Sequence, residues 1–336
     1  MLSIRSTRIS LPFRQRTLLL LVAFVLAWIC GVFDHLFEKS FDEFRWPPYG
    51  VDVRVETARA ISTGSLKVPV DNDLRLFRRI VEPECEGRNG TTRLLIIVKS
   101  SVYNELQRNA IRKTWGSQRD SARVVFVVGV EAKESAVKRA LIKELRAHGD
   151  FLHVDVLDTY RNNTLKFFHS IRYAFTPDHG CPVPDFSFLV DDDYMVHVNM
   201  LLRYIDRKDA TEHLYEGWRF DTTPFRFRLH KHAVSLKKYP FDRYPPYISA
   251  GAVLLSRKTV LHFYYAMQLV KLYPFDDIYA GILAHLLRIP PTHNEAFVFW
   301  SRSISAEEWR TGEVLAAHGY SYDRLIDEHS VISGVK

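Results

Sequence analysis

Phe186-Ser187-Phe188-Leu189-Val190-Asp191-Asp192-Asp193 is the stretch on which the reading of this chain turns. A short aromatic and apolar run bounded by turn formers reads as an interior strand of an α/β sheet. Ligands of open α/β sheets gather at the carboxyl ends of the strands. Three adjacent carboxylates there repel one another and resist desolvation unless a cation compensates them. A hard divalent metal with oxygen ligands is the natural partner, and Mg²⁺ or Mn²⁺ held this way usually also holds substrate phosphates. The other reading is a solvated acidic turn, since only some acidic clusters bind metal.

Working outward, Leu94-Leu95-Ile96-Ile97-Val98 and Val124-Val125-Phe126-Val127-Val128 are continuous apolar runs of strand length, as expected where both sheet faces are covered. Phe151–Val156 reads as a third strand and Phe186–Val190 as the strand that feeds the aspartates. Between them the pattern predicts helices over Glu105–Trp115, Glu131–Ala147 and Leu165–Phe175, the second with Ala136, Val137, Ala140, Leu141 and Leu145 on one face. Strand and helix alternate, which predicts a mostly parallel sheet with helices on both faces. No internal repeat interrupts it.

The amino terminus carries an address. Residues 1–16 hold Arg5, Arg8, Arg14 and Arg16 and no acid, and Leu18 to Phe33 is an unbroken uncharged run. With Thr17 it is about the shortest stretch that spans a bilayer, which needs roughly 17–25 apolar residues. Basic residues hold their side in the cytosol, and Trp28 fits the far interface. A cleaved signal peptide is the competing reading; the apolar core exceeds the usual run of about 7–15, and no small-x-small site follows. The expected layout is therefore a cytosolic tail over 1–16, a signal anchor over 17–33, a luminal stem over 34–90 and a globular domain over 91–336. Trp46-Pro47-Pro48-Tyr49-Gly50 breaks regular structure within that stem.

Two further features agree with a secretory lumen. Asn89-Gly90-Thr91 and Asn162-Asn163-Thr164 fit the glycosylation acceptor pattern. Of three cysteines, Cys30 lies in the expected span, which leaves Cys85 and Cys181 as the luminal pair. An oxidising lumen favours their bonding, two buried thiols being the alternative. The formal charge of +7 includes the four tail arginines, which face anionic cytosolic lipid. No stripe of cations interleaved with aromatics suggests a nucleic-acid groove.

The carboxy-terminal half holds the remaining chemistry. Tyr239-Pro240-Phe241-Asp242-Arg243-Tyr244-Pro245-Pro246-Tyr247 is stiff and aromatic and leads into Ile248-Ser249-Ala250-Gly251. The small residues permit close backbone approach to a ligand, and the tyrosines offer flat faces to sugars. A proline-rich loop packed on the core is the other reading. Phe275-Asp276-Asp277-Ile278-Tyr279-Ala280-Gly281 begins a helix, and one of the two aspartates can cap it. A cap does not explain both. A carboxylate separate from a metal cluster is what acid–base chemistry beside a metal-held leaving group requires.

These residues resemble a family, the β-1,3-glycosyltransferases of the galactosyltransferase type (glycosyltransferase family 31), over essentially all of 93–330. Arg108-Asn109-Ala110-Ile111-Arg112-Lys113-Thr114-Trp115 is similar to its R-x-x-I-R-x-T-W segment, and Tyr160-Arg161-Asn162-Asn163-Thr164-Leu165-Lys166 to Y-x-N-L-T-x-K. Asp191-Asp192-Asp193 falls on D-D-D, Tyr244–Gly251 on Y-P-x-Y-C-S-G, and Asp276-Asp277-Ile278-Tyr279-Ala280-Gly281 on E-D-V-Y-x-G. Five segments in order behind a type II anchor make the resemblance specific. The Tyr239–Tyr247 and Phe275-Asp276-Asp277 forms are most similar to the Brainiac-type glycolipid branch, the β-1,3-N-acetylglucosaminyltransferases.

The resemblance implies a GT-A type, Rossmann-like domain in the Golgi lumen, a UDP-sugar donor, Mn²⁺ and inversion at the anomeric carbon. It implies Asp193 and His318 as metal ligands, Asp277 as catalytic base, and Asp191, Asp192, Arg108, Arg112 and Lys166 toward the nucleotide. Tyr244, Tyr247 and Asp276 fall on the acceptor side. For His318, Arg112 and Lys166 a plain solvated helix position is the other reading. The implied reaction moves a hexosamine, foremost GlcNAc, to the 3-hydroxyl of an acceptor sugar, foremost mannose of a glycosphingolipid, with galactose or GalNAc transfer to glycolipid or glycoprotein as the alternative.

The departures are local. Leu189 stands where the family usually has lysine, Asn163 replaces leucine and completes the Asn162 sequon, Ile248 replaces cysteine and Asp276 replaces glutamate. A catalytically silent sugar-binding protein of the same fold is the alternative of another class. A phosphatase is disfavoured, because Asp191-Asp192-Asp193-Tyr194-Met195 places methionine where D-x-D-x-[TV] needs Thr or Val.

Overall fold

The computed structural model describes residues 12–68, 72, 74, 78–83, 92–117, 121–133, 135–175 and 181–333. They form two compact units, one of Trp46–Asp221 with the chain from Pro245 onward, the other of the residues up to Arg45 with Thr222–Tyr244.

In the larger unit the apolar runs become strands: β1 (Arg79–Val81), β2 (Leu94–Lys99), β3 (Ala122–Val130), β4 (Phe151–Leu157), β5 (Phe186–Asp191), β6 (Tyr194–Val196), β7 (Tyr215–Phe220), β8 (Tyr247–Ser256), β9 (Thr292–His293), β10 (Phe297–Val298) and β11 (Ala316–His318). Eight of them form one sheet in the order β1-β4-β3-β2-β5-β8-β7-β9. β2, β3, β4 and β5 are parallel neighbours, as expected. β8, however, runs antiparallel to both β5 and β7, and β1 is antiparallel to β4. The sheet is mixed. Apolar periodicity reports which faces are covered and carries no strand direction.

The expected helices are present with shifted bounds. Helix Glu105–Lys113 stops before Thr114, and helix Asn163–Phe175 runs two residues longer at its amino end than expected. Helix Ala136–Ala147 begins after Ser135, whose hydroxyl accepts the Lys138 N–H, and not at Glu131. A small second sheet, β10-β11-β6, sets His318 opposite Tyr194.

The expected stem over 34–90 is in part structured. Trp46 is buried, and its indole donates to the Lys271 carbonyl at 2.7 Å. Helix Val53–Thr63, capped by Asp52 and ended by Gly64 at φ 71°, buries Val53, Thr57 and Ala60 and packs on helices Arg257–Leu269 and Asp276–Leu287. Its narrow apolar stripe is diluted by arginines, which hid it from a periodicity reading.

In the smaller unit, helix Phe13–Ile29 has 17 residues, none of them buried. It ends at Cys30 and Gly31, the latter at φ 77°, so the expected span 17–33 is interrupted before helix Val32–Leu36. No helix among the described residues is long and apolar enough to cross a membrane.

Gly281 shows how closely helix Asp276–Leu287 sits on the sheet. A Cβ there would lie 2.6 Å from Tyr247 Cβ and 3.1 Å from the Pro246 carbonyl oxygen. Gly281→Ala is expected to destabilise the fold by about 1–3 kcal/mol, read as a lower melting temperature. An unchanged melting temperature would mean the packing is looser than described.

Candidate active site

β2 and β5 pair in parallel with Lys99 opposite Asp191, which brings a cation to the end of the aspartate strand. Lys99 Nζ lies 3.1 Å from Asp191 Oδ1 and 2.6 Å from Asp276 Oδ2, so one ammonium ties the strand-end cluster to the first turn of helix Asp276–Leu287. Burial works against the lysine charge, but the two carboxylates outweigh it and hold its pKa above the ordinary value. The sequence patterns did not single out Lys99. Its signal was a lone cation closing the apolar run Leu94–Val98, as the aspartates close theirs.

The three aspartates have three environments. Asp191 is partly exposed, and burial, Asp193 and Asp276 push its carboxyl up to about 7 against the pull of Lys99. Asp192 is buried and accepts from the Ser100 hydroxyl at 2.6 Å and Asn104 Nδ2 at 2.9 Å. These two bonds pin the turn after β5. Asp193 is half-exposed, with Oδ2 3.1 Å from His318 Nε2, and its carbonyl accepts the Gly319 and Tyr320 N–H groups. That contact is the main cause holding the His318 pKa up.

Asp193 and His318 thus meet across 125 residues of sequence. Asp193 Oδ1 is shielded from solvent and lacks a hydrogen-bond partner, an unsatisfied oxygen of the kind a hard cation satisfies. Among the described residues no group of three or more His, Cys, Asp and Glu is arranged to hold a metal. Two protein ligands fit an ion whose remaining positions are filled by water and substrate phosphate, the usual manner of Mg²⁺-like cations at phosphate sites.

Neither aspartate of the 275–277 segment is a cap, as one was expected to be. Phe275 occupies the N-cap without a side-chain bond. Asp276 is instead committed to Lys99, a partner that sequence spacing does not reveal. Asp277 Oδ1 accepts the Ile278 N–H at 2.8 Å. Burial, then repulsion from Asp276, raises the Asp277 carboxyl to about 7, with the Ile278 N–H and Lys99 opposing. A carboxylate poised near neutrality suits a general base.

The expected nucleotide cations are placed elsewhere. Arg108 is fully buried, bound to Glu144 at 2.6 and 3.0 Å and to the Ser100 hydroxyl at 3.0 Å. Arg112 pairs with Asp150 at 2.7 Å and Glu144 at 2.7 Å, its guanidinium 4.7 Å from the Phe126 ring centroid. Lys166 is buried on Asp158 at 2.7 Å and the Ser100 carbonyl at 2.9 Å. All three brace the floor of the site through carboxylates that sequence spacing could not pair with them. The structure thus pairs each of these cations, expected toward the nucleotide, with a protein carboxylate.

The expected acceptor tyrosines are buried too. Tyr244 belongs to the smaller unit, its ring 4.6 Å from that of Tyr239, and Tyr247 packs 5.7 Å from Phe220. Burial leaves little of either ring open to a sugar. Trp300 offers an open face, 61% exposed and edge-on to Phe299 at 4.8 Å, while Phe299 stacks on His318 with centroids 6.1 Å apart. Tyr160 is also exposed, and burial of its phenol, then Asp277 and Asp276, raises it to about 12.

Asn162 is half-buried and donates to the Leu157 carbonyl at 2.9 Å, while the Thr164 hydroxyl of its sequon is buried on the Tyr273 carbonyl at 2.6 Å. Asn89 and Cys85 lie outside the described residues. Cys181 is buried and disulfide-bonded, and Cys30 is free.

Removing one partner from a buried ion network leaves an uncompensated charge, at a cost of about 3–5 kcal/mol. Glu144→Ala, which removes the only carboxylate partner of buried Arg108 among the described residues and leaves Arg112 with Asp150 alone, is therefore expected to lower the unfolding free energy by about that amount. Chemical denaturation checks it, and a change under about 1 kcal/mol would mean the network contributes nothing beyond a surface pair.

Residues 106–295 match the family described as Galactosyltransferase. The chain is 40% identical over 326 residues to the β-1,3-galactosyltransferase bre-5 of Caenorhabditis elegans, covering 95% of this chain and 94% of that one. It is 33% identical over 313 residues to the β-1,3-galactosyltransferase brn of Drosophila melanogaster, covering 91% of each. Among solved structures, a galactosyltransferase LgtC complex with donor and acceptor sugar analogs aligns with a TM-score of 0.36 at 13% identity, covering 72% of this chain and 97% of that one.

Proposed function

This chain belongs to the galactosyltransferase family and is a β-1,3-glycosyltransferase, and on that premise we propose that it transfers N-acetylglucosamine from a UDP-linked donor to the 3-hydroxyl of an acceptor mannose on a glycosphingolipid. The observation that carries the catalytic part is the Lys99 bridge, which sets a carboxylate pair at the helix start beside the strand-end aspartates. Galactose transfer is the second reading, favoured by the names of the two relatives.

In this reading Asp277 takes the proton of the acceptor hydroxyl as that oxygen attacks the anomeric carbon from the face opposite the leaving diphosphate. Attack from that side turns an α-linked donor into a β-linked product. Asp276, held by Lys99, keeps its charge close to Asp277 and so sustains the basicity of that carboxylate. Asp193 and His318 would hold a Mn²⁺ ion, which would supply Lewis-acid stabilisation of the leaving diphosphate. Trp300 and Tyr160, the exposed aromatics, replace Tyr244 and Tyr247 as the faces for the sugars.

The same reading places the enzyme in the Golgi as a single-pass type II membrane protein, with residues 17–33 as anchor and the larger unit luminal. The basic tail and a helix with no buried residue support it.

Asp277→Asn is expected to lower turnover roughly 10²–10⁴-fold with donor binding and melting temperature nearly unchanged. Because the carboxyl titrates near 7, kcat/KM of the wild type falls as pH drops through about 7, where the base becomes protonated. A flat profile between pH 5 and 8, or an Asn variant within about threefold of wild type, would remove Asp277 from the role. Asp193→Ala is expected to abolish Mn²⁺ binding, read by electron paramagnetic resonance in the presence of UDP. Retained Mn²⁺ affinity would place the ion elsewhere.

A further inference from the structure

The smaller unit contains an unusual helix ending. The last four carbonyls of a helix lack intrahelical donors, and inside a bilayer an unpartnered one is expensive. Helix Phe13–Ile29 receives both a backbone and a side-chain donor from far along the chain. The Arg228 N–H donates to the Ile29 carbonyl at 2.9 Å, and Arg228 Nε donates to the Trp28 carbonyl at 2.9 Å. The same guanidinium lies 4.6 Å from the Trp28 ring centroid and 2.7 Å from the Asp34 carboxylate.

Gly31 makes this approach possible. It sits at φ 77°, and a Cβ there would lie 2.5 Å from both the Cβ and the carbonyl oxygen of Arg226. Arg226 is itself buried, paired with Glu38 at 2.6 Å and donating to the carbonyls of Val234, Tyr239 and Phe241 at 2.9, 3.0 and 3.0 Å. Farther on, Lys39 N–H donates to the Pro240 carbonyl and Asp242 N–H to the Lys39 carbonyl, both at 2.9 Å. The excursion 222–244 is thus fastened at several points to the chain that leaves the apolar helix.

The alternation within it is informative. Arg226 and Arg228 turn inward onto Glu38 and Asp34, while Phe225, Phe227 and Leu229 are 51%, 42% and 76% exposed. Exposed Lys231, Lys237, Lys238 and Arg243 follow in the same excursion. Leu36 and Phe37, just past the helix, are also exposed. Soluble surfaces rarely display large apolar side chains in such a group, and apolar residues among cations fit the headgroup layer, where lipid phosphates meet the charges.

We propose that Phe225, Phe227 and Leu229 form a second membrane contact, an interfacial element that enters the phospholipid headgroup layer beside the exit of the apolar helix. This rests on the anchor reading. It replaces a free tether, at the membrane end of the chain, by a unit seated on the bilayer.

The test uses the full chain in phosphatidylcholine nanodiscs, with Cys30→Ser as background and an environment-sensitive fluorophore on Leu229→Cys or, separately, Leu20→Cys. Retained transfer activity reports that each variant is folded. The expected result is that the label at 229 is quenched by lipids carrying a nitroxide near the headgroup and shielded from iodide, while the label at 20 is quenched by a nitroxide deep in the acyl chain. Quenching at 20 with iodide-accessible, lipid-silent emission at 229 overturns the interfacial element and leaves the anchor standing. Lipid-silent emission at both positions overturns the anchor and this inference with it. Emission at 229 shielded from both quenchers means that a second copy or another protein covers the patch, and likewise overturns it.

Discussion

The site depends on one cation between two carboxylates. Asp191, Asp193, Asp276 and Asp277 converge where helix Asp276–Leu287 meets the end of β5, and four acids there would repel one another out of register. Lys99 touches Asp191 and Asp276 at once, and its place is fixed by the parallel pairing of β2 with β5. The backbone ladder, set by apolar runs, therefore decides the electrostatics of the candidate site. Without that ammonium the helix start and the strand end lose the ion pair they share, and the placement of Asp277 relative to Asp193 is no longer held by it.

Behind this bridge lies a floor of buried ion pairs. Arg108 and Arg112 share Glu144, Arg112 also holds Asp150, and Lys166 holds Asp158. Asp158 in turn accepts the Val102 and Gly129 N–H groups, and Ser100 links Arg108 to Asp192. Each is costly to break and contributes little net stability when intact. What such a network supplies is position: it fixes the turns after β2 and β5 on which the aspartates stand. These cations are committed to protein carboxylates, and in the proposed reaction the charge of a donor diphosphate would be met by an ion held by Asp193 and His318.

Much of this was legible in the sequence. Apolar runs and turn formers located β2, β3, β4 and β5 and the helices between them, because burial on both faces leaves a direct trace in hydropathy. The aspartate cluster and the 275–277 segment were legible as chemistry, since adjacent acids at element ends repel one another unless a cation or a proton offsets them. Partnership was not. Nothing in the spacing of Arg108, Arg112 and Lys166 distinguishes a cation aimed at phosphate from one buried on Glu144, Asp150 or Asp158. The tyrosines of 239–247 read either as open faces or as part of a loop packed on the core, and the structure buries Tyr239, Tyr244 and Tyr247 while Trp300 is exposed. Strand direction at β8 and the capped helix Val53–Thr63 escaped for physical reasons: an apolar run carries no direction, and charge masks the helix's stripe.

The central claim is that these residues transfer a sugar with inversion to a 3-hydroxyl. Proton NMR of the product tests it most directly, with full-length protein, Mn²⁺, a UDP-α-sugar and a mannose-terminated glycolipid. The expected result is a new anomeric proton with the large coupling of a β linkage, and linkage analysis that places it on carbon 3 of mannose. An α-linked product, or hydrolysis of the donor without transfer to any sugar in a panel of UDP donors, would contradict it.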